Sequence, residues 1–209
     1  MTFHVNGDAA IDSLIKAHEF AAADDPTKER NVTAIHAQFT RKDQIPLYVK
    51  YKIRPSFYTL QTYYFAESHI KNRGKSQVMY NSPMRDAIDA GLRPTNHTDA
   101  MVTPLDQMFM LWSAVNRISR AGAEIGPDQR VTPLEGLKAM TIWAAEQYGE
   151  QASKGSLEAG KLADMVVLSA NPLKVDEAAI KDIQVLETFK EGKSIYRKLS
   201  ATPGSAGGS

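Results

Sequence analysis

His4, His36 and Asp99 are the residues whose types and spacing could do chemistry together. The chain has five histidines and no cysteine, which excludes thiolate ligands, a cysteine nucleophile and disulfides. His4, His36 and Asp99 each fall at the C-terminal end of a different stretch that reads as a parallel β-strand. Neighbouring strands lie about 5 Å apart, so side chains from adjacent strand ends converge above the sheet. Two imidazoles and a carboxylate suit zinc, iron or manganese, and hydrolysis by a metal-bound water.

The elements that must position these residues alternate. Asn6-Gly7 is a turn, Asp8 can cap, and Ile11, Leu14, Ile15 and His18 at helical spacing predict a helix over 8–23. His18 falls on its apolar side and reads as structural. Val32 to His36 is an apolar, β-branched run that predicts a buried strand. Thr40 to Tyr51 reads as a second helix that Pro46 would kink. Ile53 to Leu60 and Leu92 to His97 are further strands, and between them Pro83 to Ala90 is a helix with Gly91 as its C-terminal stop. Strands alternating with helices imply βαβ units and a parallel sheet, doubly wound or barrel, with function at the C-terminal strand ends. Met108 to Arg120 is helical in pattern. Thr132-Pro133-Leu134-Glu135 is a capping box opening a helix that closes at Gly149. The grammar then changes: short strands at Met165 to Leu168, Val185 to Phe189 and Ser194 to Tyr196 predict a small β unit. The tail, 200–209, is rich in Gly, Ser, Ala and Pro and reads as disordered.

Composition narrows the function classes. The 209 residues carry 25 Lys plus Arg against 24 Asp plus Glu, so no basic surplus argues for nucleic acid or an anionic membrane. No apolar run reaches the roughly 18 residues of a membrane span, and the N-terminus lacks the pattern of a signal peptide. A cytoplasmic location is the expectation.

The segments His4 to Asp12, Ile35 to Gln38, Asn96 to Pro104 and Lys154 to Leu168 resemble, in the same order along the chain, four segments of the amidohydrolase superfamily, in the branch called amidohydrolase family 3. His4-Val5-Asn6-Gly7-Asp8-Ala9-Ala10-Ile11-Asp12 is similar to its "HAxGDxAID" segment. Ile35-His36-Ala37-Gln38 is similar to "EHAQ", with Ile35 in the glutamate position. Asn96-His97-Thr98-Asp99-Ala100-Met101-Val102-Thr103-Pro104 resembles "HSDAPVTP", and the run from Lys154 to Leu168 resembles "GSLExGKLADLVVLD". The resemblance implies an α/β fold: the C-terminal part of a metal-dependent-hydrolase (β/α)8 TIM barrel plus the C-terminal share of a small β-sandwich. On this reading 1–150 hold barrel strands five to eight with their helices, 151–199 the sandwich segment and 200–209 the tail. It further implies His4, His36 and Asp99 as metal ligands, for one or two divalent ions, zinc foremost. Asp99 would also be the general base, passing its proton to the leaving nitrogen of a small amide-like substrate. His69, in a loop resembling the family segment after strand seven, and Tyr64 would line the substrate pocket. Strand alternation would turn His97 to the opposite face, as a structural residue.

The family's His-x-His pair and its bridging ligand near strand four have no counterpart in these 209 residues, and a full barrel takes about 250. The expectation is a fragment, inactive alone, that self-associates or pairs with a chain supplying the missing half-barrel. The alternative is a non-catalytic remnant or interaction module on the same scaffold.

Overall fold

A four-stranded parallel sheet, ordered β1-β2-β3-β4, organises the first half of the computed structural model, which describes residues 1–25 and 28–199. β1 (Thr2–Val5) leads through a turn at Asn6-Gly7 into α1 (Asp8–Ala21). β2 (Val32–His36) has the bounds its apolar run predicts, and Val32, Thr33 and Ala34 are buried because strands flank it on both sides. Ile11, Leu14, Ile15 and His18 are the buried stripe of α1, as their spacing requires.

Pro46 does not kink a helix. Lys42–Gln44 form a 3-10 turn and α2 (Ile45–Lys50) begins after it, with Pro46 in its first turn, where the missing N–H costs nothing. β3 (Ile53–Phe57) stops short of Leu60 because Tyr58 and Thr59 already accept the first hydrogen bonds of α3 (Leu60–Tyr64). Two more short helices follow, α4 (Ala66–Arg73) and α5 (Lys75–Met79). The loop expected around His69 is therefore a helix. Its signal was present: Glu67 lies in the first turn of α4, Lys71 and Arg73 in the last, and Gly74 at φ 86° ends it.

α6 (Met84–Asp89) closes as the glycine predicts, with Gly91 at φ 85° and Leu92 N–H donating to Ala87 O at 3.0 Å. That bond takes Leu92 out of the next strand and Pro94 has no N–H to offer, so β4 is only Thr95–Asn96.

α7 (Gln107–Asn116) is capped by Asp106, which accepts from Phe109 N, and ends on Arg117 in the left-handed region. α8 (Pro133–Met140) opens with the expected Thr132/Glu135 capping box. The expected continuous helix breaks at Thr141 (φ −125°, ψ −95°), and α9 (Ile142–Gln147) is separate. Gly155 packs so close to α9 that a Cβ there would lie 2.7 Å from that of Ala145.

The second sheet is antiparallel, ordered β5-β6-β7, from β5 (Met165–Leu168), β6 (Val185–Lys190) and β7 (Lys193–Arg197), with Glu191-Gly192 as the hairpin turn. The 3-10 segment Glu177–Asp182 ties it to the first half: Ile180 is fully buried in the main core, and Asn116 Nδ2 donates to Glu177 O at 2.9 Å. The tail expected to be disordered lies outside the described residues. Among the described residues, no helix is long and apolar enough to cross a membrane.

Candidate metal centre at the parallel strand ends

His4 and His36 meet edge-on, with ring centroids 4.5 Å apart and planes at 88°. Strand register alone would not bring them together. Val5 pairs with His36 and His4 with Ile35, so simple alternation would put the two imidazoles on opposite faces. The strand ends at His36 with φ 69°, and Ala37 follows with φ 44°. Rotation about N–Cα swings the His36 side chain relative to the strand behind it. Each left-handed non-glycine residue costs roughly 1–2 kcal/mol, and here neighbouring bonds enforce the conformation. Ala37 N–H donates to Val5 O at 3.0 Å, Phe39 N–H to Asn6 O at 3.1 Å, and Thr40 Oγ1 to Ala37 O at 2.7 Å.

His97 stands beside this pair rather than on the opposite face. Because β4 ends at Asn96, strand alternation no longer governs position 97. His97 Nε2 is 3.0 Å from His36 Nδ1, and its Nδ1 is 3.1 Å from Ser56 Oγ on β3. Tyr58 stacks on it with planes 20° apart. The Tyr58 hydroxyl is buried, and burial pushes it above its ordinary range.

Asp99 follows β4 in a tight loop, itself left-handed at φ 53°, with its carbonyl accepting from Val102 N–H at 2.9 Å. Burial pushes the His36 imidazolium below its usual range; the Asp99 charge opposes this and His4 adds to it. Burial, then His36, pulls His97 down to about 4. Both rings are therefore neutral at neutral pH and keep a lone pair for a hydrogen bond or a cation.

The donors are chemically right for a borderline divalent cation. Among the described residues, no group of three or more His, Asp or Glu side chains is placed to hold a metal ion. The fit is to part of a donor set: two imidazoles in contact and a carboxylate acting on one of them.

His69 and Tyr64 lie apart from that contact. His69 Nδ1 is 3.1 Å from Nε2 of Gln38, two residues beyond His36, and its ring packs on Phe39. Tyr64 belongs to an aromatic cluster with Tyr63, Phe65 and Phe109. His18 packs edge-on against Tyr51, a structural role as its position suggests. Arg117 carries no sequence signal beyond ending an apolar helix, yet it is completely buried. It donates to Ile125 O at 2.7 Å, Ser82 O at 3.2 Å and Asn81 O at 2.5 Å, and burial pulls its guanidinium down to about 9. Ser82 N–H in turn donates to Gln38 O at 2.8 Å, so Arg117 supports the loop that leaves His36. A cavity of about 710 Å³ lies elsewhere, between α8–α9 and the antiparallel sheet, lined by Met140, Ala145, Met165, Val166 and Phe189.

The amidohydrolase family model matches residues 1–196, and the chain belongs to that family. It is 34% identical over 119 residues to the N-substituted formamide deformylase of Arthrobacter pascens, covering 57% of this chain and 22% of that protein. Its fold matches an uncharacterized metal-dependent hydrolase from Pyrococcus furiosus with TM-score 0.68 at 25% identity, covering 83% of this chain and 34% of the other. An amidohydrolase from Thermotoga maritima MSB8 matches with TM-score 0.68 at 21% identity, over 94% of this chain and 43% of its own. The chain spans well under half the length of the curated relatives it matches.

Proposed function

We propose that this chain carries part of the active site of a metal-dependent hydrolase that cleaves non-peptide C–N bonds. The observation that carries the reading is the contact between His4 and His36 at adjacent parallel strand ends, within reach of the Asp99 charge. His4, His36 and Asp99 are this chain's share of the ligands. They would hold a divalent ion, zinc by the nitrogen and oxygen donor set, which would supply the Lewis acidity that lets water attack near neutral pH. The Asp99 carboxylate accepts the proton of the attacking water and returns it to the leaving nitrogen. The C–N bond breaks, a C–O bond forms, and the products are a carboxylic acid and an amine. The deformylase relative is named for N-substituted formamides, which supports a small amide-like substrate. His69 and Tyr64 are assigned to its pocket. Residues 1–150 are assigned to the barrel part and 151–199 to the share of a β-sandwich.

The exposed apolar residues Val166, Val167 and Ile195 favour a second reading, an interaction module on the same scaffold. Zinc titration by calorimetry separates the two. The first reading expects saturable binding by the 209-residue chain, weakened at least about tenfold in His4→Ala and His36→Ala. Absence of binding by the wild-type chain would leave only the second.

A further inference from the structure

The contact between His36 and His97 has a direction, and the direction matters. His36 Nδ1, His97 Nε2, His97 Nδ1 and Ser56 Oγ form a chain of two hydrogen bonds, 3.0 and 3.1 Å long. One proton can lie in each bond, and two consistent arrangements exist. In the first, His36 Nδ1–H donates to His97 Nε2 and His97 Nδ1–H donates to Ser56 Oγ. His36 Nε2 then keeps a lone pair. In the second, the Ser56 hydroxyl donates to His97 Nδ1 and His97 Nε2–H donates to His36 Nδ1, which forces the remaining proton of neutral His36 onto Nε2. Only the first leaves a ring nitrogen of His36 able to bind a cation.

We propose that His97, oriented by Ser56 and by stacking on Tyr58, is a positioning residue that holds His36 in its Nδ1–H tautomer and so keeps Nε2 free for a divalent cation. The proposal rests on the functional reading above for its choice of direction. Its geometric basis is independent of that reading. Ser56 lies on β3 and is buried, 3% exposed. The Tyr58 ring lies nearly parallel to that of His97, with centroids 5.5 Å apart, which restricts its rotation about χ2. A histidine that ligates a metal usually gives its other N–H to a carboxylate, a backbone carbonyl or water. Here a second histidine stands in that place. Unlike a carboxylate, it can be donor or acceptor, so a buried serine hydroxyl is left to orient it.

The test is long-range 1H–15N correlation NMR on the 15N-histidine-labelled 209-residue chain, without metal and with zinc added. The expected result is Nδ1–H on both His36 and His97. His97→Phe removes the acceptor, and His36 should then shift toward Nε2–H while zinc binds about tenfold more weakly, the usual effect of losing such a partner. His97→Gln keeps an acceptor oxygen and should restore both the tautomer and most of the affinity. Ser56→Ala, a milder change, should shift the His97 tautomer if His97→Phe fails to fold. Finding Nε2–H on His36 in the wild-type chain overturns the proposal, as does equal zinc binding by His97→Phe and His97→Gln. Wild-type Nδ1–H on His36 with no zinc binding would sink the functional reading and leave the tautomer assignment standing.

Discussion

The central strands of the parallel sheet and the outer strands of the antiparallel sheet use the same residues to opposite ends. In β2, Val32 and Ala34 are 3% and 0% exposed; in β5, Val166 and Val167 are 52% and 43% exposed. Both runs are short, apolar and β-branched, the composition of a buried strand. The difference lies in what covers them. β2 has strands on both sides, and α1, α2 and α7 contribute Ile11, Tyr48 and Leu111 to the core around it. Among the described residues β5 pairs only with β6. Strand composition thus reports a capacity for burial, and neighbours decide whether it is realised.

That contrast can be broken by mutation, beginning where the effect is largest. Ile53→Ala in β3, a fully buried position, is expected to cost about 3–4 kcal/mol in urea unfolding. Arg117→Met should cost about 3 kcal/mol, because three carbonyls lose a hydrogen bond from a buried guanidinium. Less than about 1 kcal/mol for either would mean that the part built on the parallel sheet is not the stable part of the molecule.

Glu135 gives an intermediate effect with a pH signature. Its hydrogen bonds from Arg85, and then from Thr132, hold the carboxyl down to about 2, against an ordinary 4.5, while burial opposes them. Because the folded value lies below the unfolded one, this stabilisation is complete above about pH 4.5 and is lost as the pH falls toward 2. Glu135→Gln should remove about 1–2 kcal/mol at pH 7, the shift discounted for solvent screening. It should also flatten the acid limb of the stability curve. An unchanged acid limb would show that other carboxylates control it. Val166→Ala in β5 is the smallest effect, within about 0.5 kcal/mol. A loss near that of Ile53→Ala would mean that β5 is covered in solution.

Much of this was legible in the chain. The turn at Asn6-Gly7, the capping box at Thr132, the stop at Gly91 and the bounds of β2 follow from local chemistry, and local chemistry is what a sequence displays. His4, His36 and Asp99 stand out in the sequence as candidates because strand ends are where a parallel sheet gathers polar groups. The place of His97 was not legible: it depends on β4 ending at Asn96, which follows from the bond of Leu92 to Ala87 and from Pro94. The helix under His69 was obscured because α3, α4 and α5 are too short to show a full apolar stripe. Arg117 could not be found at all, since its burial depends on carbonyls 8, 35 and 36 residues away.

The paired left-handed residues His36 and Ala37 carry a last consequence, for how this chain tolerates variation. A library randomised at position 37 and selected only for folding should enrich glycine and asparagine, which enter that region readily, and deplete valine and isoleucine. Position 36 should show the same bias once the imidazole is given up. A screen blind to metal and substrate would thus trace the backbone bend that brings the two imidazoles together.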